Sequence, residues 1–334
     1  LVVSVPLSFF AGIGGASKNG VLIKGANYLE ALANVNTIVF DKTGTLTKGN
    51  FKVVAIHPEK ITEEKLLEIA TLAEQFSTHP ISISLKNEYS KELDKNRVKD
   101  IEDIPGKGIK ATVDKKQVYI GNDKLMKYID VHYENCEKEG TISHIVIDGE
   151  YAGHIVITDE IKPTSKTALN ELKNLGVAKT VMLTGDKKEV GESIGFELGL
   201  DEIKTELLPV NKVEEVERLI KSKNNDKEKI AFVGDGINDA PVLKRCDIGI
   251  SMGGLGSDAA IEASDIVLMN DDPSSIAKAI KISRKTLKIV RQNIIFALAV
   301  KLIVLILGAL GIANMWEAVF ADVGVSFIAI LNAL

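Results

Sequence analysis

The sequence predicts an α/β protein: a parallel sheet covered on both faces by helices, interrupted by an inserted α+β module and joined to membrane helices. Three observations carry that prediction. Short, continuously apolar runs end in polar or glycine-rich turns and alternate with helical periodicity, as strands buried on both faces do. Residues 52–157, after the first of these runs, have a different pattern, with two helical stretches followed by β-like pieces. Residues 294–313 and 318–334 are apolar with one charge each, Lys301 and Asp322.

Taken in order, residues 1–16 ("LVVSVPLSFFAGIGGA") are apolar and uncharged. They lack the basic leader and cleavage pattern of a signal peptide and read as the end of another membrane helix, so the chain reads as a fragment. "TIVF" then runs into "DKTGT" at 41–45. In the inserted module, helical periodicity at 62–76 and 80–93 precedes "ATVDKKQVYIG" and a hairpin signal at Asp148-Gly149 between "HIVI" and "AGHIVI". "TVML" enters "TGD" at 184–186, "IAFV" enters "GDGINDAP" at 234–241, "IGIS" enters "MGGLGSD" and "IVLM" enters "NDD" at 270–272. Helices are expected at 188–199, 210–222, 239–245 and 257–263.

A helix of about 20 residues spans about 30 Å, the thickness of a bilayer's hydrocarbon core. Two apolar runs joined by four residues therefore predict a membrane hairpin. Lys278, Lys281, Arg284, Lys285, Lys288 and Arg291 precede it, which places the polar bulk of the chain in the cytoplasm of a multi-pass cell-membrane protein in contact with lipid. The expected boundaries are 1–18 for the end of a membrane helix, 19–51 with 158–285 for the parallel-sheet domain, 52–157 for the inserted domain, and 286–334 for the last two membrane helices.

Composition narrows the function. A formal net charge of −5 is too mild to indicate a nucleic-acid partner. Cys136 and Cys246 have no C-x-x-C spacing, so neither suggests a zinc site or a disulfide framework.

Ligands of open parallel sheets bind beyond the carboxyl ends of the strands, which puts Asp41, Thr184, Asp186 and Asp235 on one edge. Phosphoryl transfer to a carboxylate needs such a set. An Asp is ionised at neutral pH without a base. Asp41 would be the nucleophile. Asp235 would share Mg2+ with Asp41 and a backbone carbonyl of the loop, assigned to Thr43. Thr184 and Gly185 would donate to phosphate oxygens and Lys212 would neutralise charge, with Asn238 and Asp239 ordering the metal's surroundings.

"DKTGT", "TGD", "PVNK" at 209–212 and "GDGINDAP" occur together in an order that resembles the haloacid-dehalogenase superfamily and, more closely, the P-type ATPases. The resemblance implies a phosphorylation domain built on Asp41, Lys42, Thr43, Thr184, Gly185, Asp186, Lys212, Asn238 and Asp239. It also implies an inserted nucleotide-binding domain. "STHP" at 77–80 and "GKG" at 106–108 are similar to the nucleotide site of the heavy-metal pumps, with Thr78 standing where Glu is usual. ATP binding is thereby carried to Glu74, His79, Pro80, Gly106 and Gly108, with Gly121 nearby. Asp159 resembles a hinge between modules. His57, His132, His144 and His154 receive no role, packing being the default. Superfamily phosphatases usually carry an acid–base Asp two residues after the nucleophile; Thr43 cannot act as that base near pH 7. A lasting aspartyl phosphate follows, which suits a pump better than the alternative of a membrane-anchored phosphatase.

By depth alone, Lys301 and Asp322 serve equally as snorkelling charges or functional ones, and a hairpin does not of itself set them level. The segment 301–334 looks like the last two helices of the zinc/cadmium/lead-exporting branch. That resemblance makes Asp322 a ligand or counter-charge of the transported Zn2+, Cd2+ or Pb2+ and Lys301 its built-in counter-ion. A carboxylate suits these divalent ions better than monovalent copper; a copper or potassium pump is the rival reading. Neither a "TGE" motif nor Cys-Pro-Cys occurs. The expected partner is therefore an N-terminal remainder carrying the actuator domain and preceding helices.

Overall fold

The computed structural model describes residues 3–77, 79–134, 136, 140–223, 225, 227–235, 239–253, 258–312 and 314–333. Its strands in chain order are β1 (Val21–Ile23), β2 (Val35–Asp41), β3 (Thr47–Pro58), β4 (Val98–Ile104), β5 (Gly108–Val113), β6 (Lys116–Gly121) and β7 (Thr141–Ile147). They continue with β8 (Glu150–Ile161), β9 (Lys179–Leu183), β10 (Glu202–Lys204), β11 (Lys229–Gly234), β12 (Ile248–Met252) and β13 (Ile266–Leu268). They fall into two compact units. One comprises Leu1–Leu46, Pro163–Asp186 and Gly195–Leu334; the other comprises Thr47–Lys162 and Lys187–Ile194.

The first unit holds a seven-stranded sheet in the order β1-β13-β12-β11-β2-β9-β10. Every neighbouring pair is parallel except β1 with β13, an antiparallel edge that the sequence does not reveal. Val39, Phe40, Val181, Leu183, Phe232 and Val233 are buried, as expected of central strands covered on both faces. Parallel register aligns the strand ends: Asp41 lies opposite Leu183, and Phe40 opposite Val233. Asp41, Thr184 and Asp235 therefore emerge side by side.

The same unit contains the apolar helices. Ser274–Ala309 is one continuous helix of 36 residues, where the sequence marks only its apolar second half. Ile276, Ala277 and Ile280 pack into the sheet unit, while Leu302, Leu305 and Ile306 are exposed. Ser274–Ala309 and Met315–Ala333 are each long and apolar enough to cross a membrane. Helix Ser4–Lys18 lies close to the long helix because Gly12 has no side chain; a Cβ there would sit 2.4 Å from Thr286 Oγ1. Asn293 Nδ2 donates to Ser8 Oγ (3.3 Å) and to the Ala329 carbonyl (2.8 Å), tying three helices together.

The second unit is a six-stranded antiparallel sheet, β3-β8-β7-β6-β5-β4, with helices Glu63–Ala73 and Pro80–Tyr89. Both helices end before the sequence periodicity does. The second stops at Ser90, which is left-handed at φ 48°. The β-hairpin signal is realised, Asp148 and Gly149 turning at φ 50° and 83°; the β-like "ATVDKKQVYIG" proves to be a second hairpin, folding back at Asp114 and Lys115 at φ 50° and 68°. Two successive positive φ angles match the twist of the strands they join.

Candidate active site and associated sites

Asp41 ends β2 and is 6 % exposed. The chain then turns sharply through Lys42–Leu46, where Gly44 takes φ 73°. A Cβ on Gly44 would lie 1.5 Å from Asp235 Oδ2, so only glycine lets that carboxylate into the turn. Pro209 opens helix Pro209–Lys221, and Asn211 Oδ1 accepts the Leu208 N–H at 3.2 Å, fixing the first turn. That turn aims Lys212, whose Nζ donates to Asp41 Oδ1 at 2.5 Å and to Asp239 Oδ1 at 2.9 Å. Lys42 pairs with Asp186 at 2.6 Å. The Thr184 hydroxyl oxygen accepts the Asp186 N–H at 3.1 Å, which leaves the hydroxyl proton available to donate. Gly185 lies between these two residues in the turn. Asn238 and its neighbours Gly236 and Ile237 fall outside the described residues.

Burial pushes the Asp41 carboxyl up to about 7, helped by the facing Asp239 and Asp235 and opposed by Lys212. Burial would lower the Lys212 ammonium, but Asp41 and Asp239 outweigh it and raise it, so Lys212 stays charged. Asp41, Asp235 and Asp239 bring carboxylate oxygens within 4.8 Å of one another. A hard, all-oxygen set of this kind fits Mg2+.

In the second unit a cavity of about 760 Å³ is lined by Glu74, His79, Gly106, Gly108, Gly121 and Ser143, among others. A volume of that order holds a nucleotide-sized ligand. His79 caps helix Pro80–Tyr89, its Nδ1 accepting the Ile81 N–H at 3.3 Å, and Pro80 begins the helix. Glu74 is buried and accepts a hydrogen bond from Ser82. Gly108 and Gly121 admit close backbone packing: a Cβ on either would lie 2.0 Å or 2.1 Å from a neighbouring carbonyl oxygen. Thr78 falls outside the described residues. Asp159 accepts from Thr47.

His57, His144 and His154 are not among the residues that line this cavity; they stand on neighbouring strands β3, β7 and β8, with His144 opposite Gly121 of the lining. Burial, then the His57 and His144 rings, push the His154 imidazole down to about 4.

In the apolar hairpin, Lys301 Nζ lies 2.8 Å from Asp322 Oδ1. The pairing decides what the sequence left open: the two charges are level. Asp322 sits in a π-helical turn, Phe320–Gly324, an irregularity frequent at functional positions and invisible to hydropathy.

A buried aspartate at the edge of a parallel sheet, met by a lysine and two further carboxylates, defines a hydrolase-like class of α/β protein, and the haloacid dehalogenase-like hydrolase model matches residues 35–247. The chain belongs to that family. Over its full length it is 56% identical to a cadmium, zinc and cobalt-transporting ATPase of Bacillus subtilis and 52% identical to a zinc-transporting ATPase of Synechocystis sp., covering 48% and 46% of those proteins. It thus spans about half the length of the curated relatives it matches. A crystal structure of a zinc-transporting PIB-type ATPase in its E2.Pi state superposes with a TM-score of 0.82 at 37% identity, over all of this chain and 55% of that one. The resemblance to heavy-metal P-type ATPases inferred from the motifs holds over the whole chain.

Proposed function

We propose that this chain is the catalytic and C-terminal membrane part of an ATP-driven exporter of divalent zinc-class ions, working through an aspartyl phosphate in a cell membrane with both catalytic domains cytoplasmic. The observation that carries the reading is the Asp41–Lys212–Asp239 contact at the sheet edge, in a chain similar throughout to metal-transporting ATPases.

ATP occupies the cavity of the inserted domain, with the adenine against His79 and with Gly106 and Gly108 beside it. An Asp41 oxygen attacks the γ-phosphorus, the bond from that phosphorus to the β–γ bridging oxygen breaks, and ADP leaves with the electron pair. Lys212 offsets charge on the carboxylate and the transferring oxygens. The Thr184 hydroxyl and the Gly185 N–H donate to those oxygens, and Lys42 is held in place by Asp186. Mg2+, held by Asp41, Asp235 and the Thr43 carbonyl with Asp239 and Asn238 behind them, would supply further charge neutralisation there. Thr43 offers no general base, so the acyl phosphate persists until the N-terminal remainder of the pump directs water to it. The conformational cycle alternates access to a membrane site in which Asp322 ligates or balances Zn2+, Cd2+ or Pb2+, with Lys301 as the counter-ion when the cargo is absent.

Acid-quench trapping of phosphate from γ-labelled ATP in the full-length parent tests the nucleophile. Label should attach in the parent and be absent in Asp41→Asn. Equal labelling of the two proteins would exclude the scheme.

A further inference from the structure

The six-stranded sheet carries a cluster that the catalytic scheme leaves unused. Strand register sets His57 opposite His154, and His154 opposite His144, so three imidazoles share one face. The His57 and His154 ring centres are 4.8 Å apart. Cys136, from the segment that precedes β7, joins them: ligand atoms of His57, Cys136 and His154 all lie within 4.8 Å of one another.

The two outer nitrogens behave differently from those of ordinary packed histidines. Buried polar atoms nearly always have hydrogen-bond partners. Yet His57 Nε2 and His154 Nε2 are buried with none among the described residues. By contrast, the remaining imidazole is fully engaged: His144 Nδ1 is 2.8 Å from the Tyr151 hydroxyl and His144 Nε2 is 3.1 Å from Asp123 Oδ1. The Tyr151 hydroxyl also lies 3.1 Å from His154 Nδ1, which orients that ring and leaves its Nε2 facing away. A hydrogen bond on the far nitrogen is the usual support of a metal-bound histidine.

We propose that His57, His154 and Cys136 form a second metal site, a two-imidazole, one-thiolate set for a borderline divalent cation of the zinc–cadmium class. Imidazole and thiolate together select zinc-like ions over magnesium or calcium, which take oxygen donors. Tetrahedral zinc places its nitrogen and sulfur ligands about 3.3–3.6 Å apart, so the present spacing needs to close by at most about 1.5 Å. Binding displaces the Cys136 thiol proton and leaves a fourth position for water or another donor. The site is separate from the carboxylate set around Asp41 and from the Lys301–Asp322 pair, and it stands whether or not the transport reading does.

The test uses the whole chain, purified in detergent, stripped with chelator and titrated with cobalt(II) as a spectroscopic stand-in for zinc. A thiolate-to-cobalt charge-transfer band is expected at one equivalent, displaced by zinc. It should persist in Cys246→Ser, vanish in Cys136→Ser, and need at least tenfold more cobalt in His57→Gln or His154→Gln. No band in the parent chain, a band that survives Cys136→Ser, or titrations unchanged by both histidine variants would overturn the proposal. Because a core variant can fail to fold, alkylation of Cys136 in the unmutated chain supplies an independent readout. Zinc should slow it at least tenfold, and an unchanged rate would count against the site.

Discussion

Replacing Gly44 by alanine isolates the geometry of the Asp41 turn from its chemistry, because no charged group is lost. The backbone there has φ 73°, a region that costs an L-residue about 1–2 kcal/mol. The larger effect is steric. The new methyl would sit 1.5 Å from Asp235 Oδ2, so the carboxylate or the turn must retreat by about 2 Å to reach ordinary contact. A displacement of about 1 Å at a reacting centre costs about 100-fold in rate, so Gly44→Ala should phosphorylate at least about 100-fold more slowly. The assay is the initial rate of acid-stable labelling from γ-labelled ATP in the full-length parent, beside the melting temperature and nucleotide affinity. Melting should fall by only a few degrees and nucleotide affinity should hold, since the cavity belongs to the other unit. A variant that labels within threefold of the parent would show that Asp235 need not approach this turn closely.

Asp41 gives a pH prediction with a definite sign. Its carboxyl is raised from 3.8 to about 7, so the protonated form favours folding, and that contribution is present below about pH 4 and lost as pH rises through 7. In chelator, Asp41→Asn should therefore melt above the parent at pH 8, by at most about 4 kcal/mol in stability, with the gap closing toward pH 4; a gap that widens on acidification would refute this. His79→Ala should raise the ATP concentration needed for labelling by about tenfold while leaving labelling from inorganic phosphate intact, and equal loss with both would assign His79 to the fold instead. Lys301→Met removes the partner of Asp322 within the apolar hairpin and should lower metal-dependent ATP turnover as Asp322→Ala does. Turnover of the parent should respond to zinc, cadmium or lead; a response to monovalent copper alone would discard the cargo assignment.

The carboxylate edge of the sheet was readable because its residues follow directly on apolar runs. Asp41, Thr184 and Asp235 each terminate or follow a strand, and parallel strands deliver their ends to one place. Local chemistry also announced the Asp148-Gly149 turn. What escaped depends on pairing between distant segments. Cysteine spacing was silent on the grouping of Cys136 with His57 and His154, since the two histidines are brought together by β3–β8 register and not by proximity in the chain. Hydropathy marked an apolar segment from residue 294, but the helix starts at Ser274, because its first half buries apolar residues against helices Ala26–Ala33 and Ser165–Asn174 and shows charge on its other side. Likewise Asn293, at the polar–apolar boundary, has an ordinary sequence context; only three converging helices give its amide a purpose.

Arg284 connects that long helix to the ends of the sheet remote from the chemistry. Its guanidinium donates to the carbonyl of Ala33, just before β2, and to that of Leu175, a few residues before β9. Those two strands deliver Asp41 and Thr184 at their opposite ends. Strand and rod are thereby tied at a shared root, so on the proposed function a displacement at the Asp41 end would reach the apolar stretch through this joint.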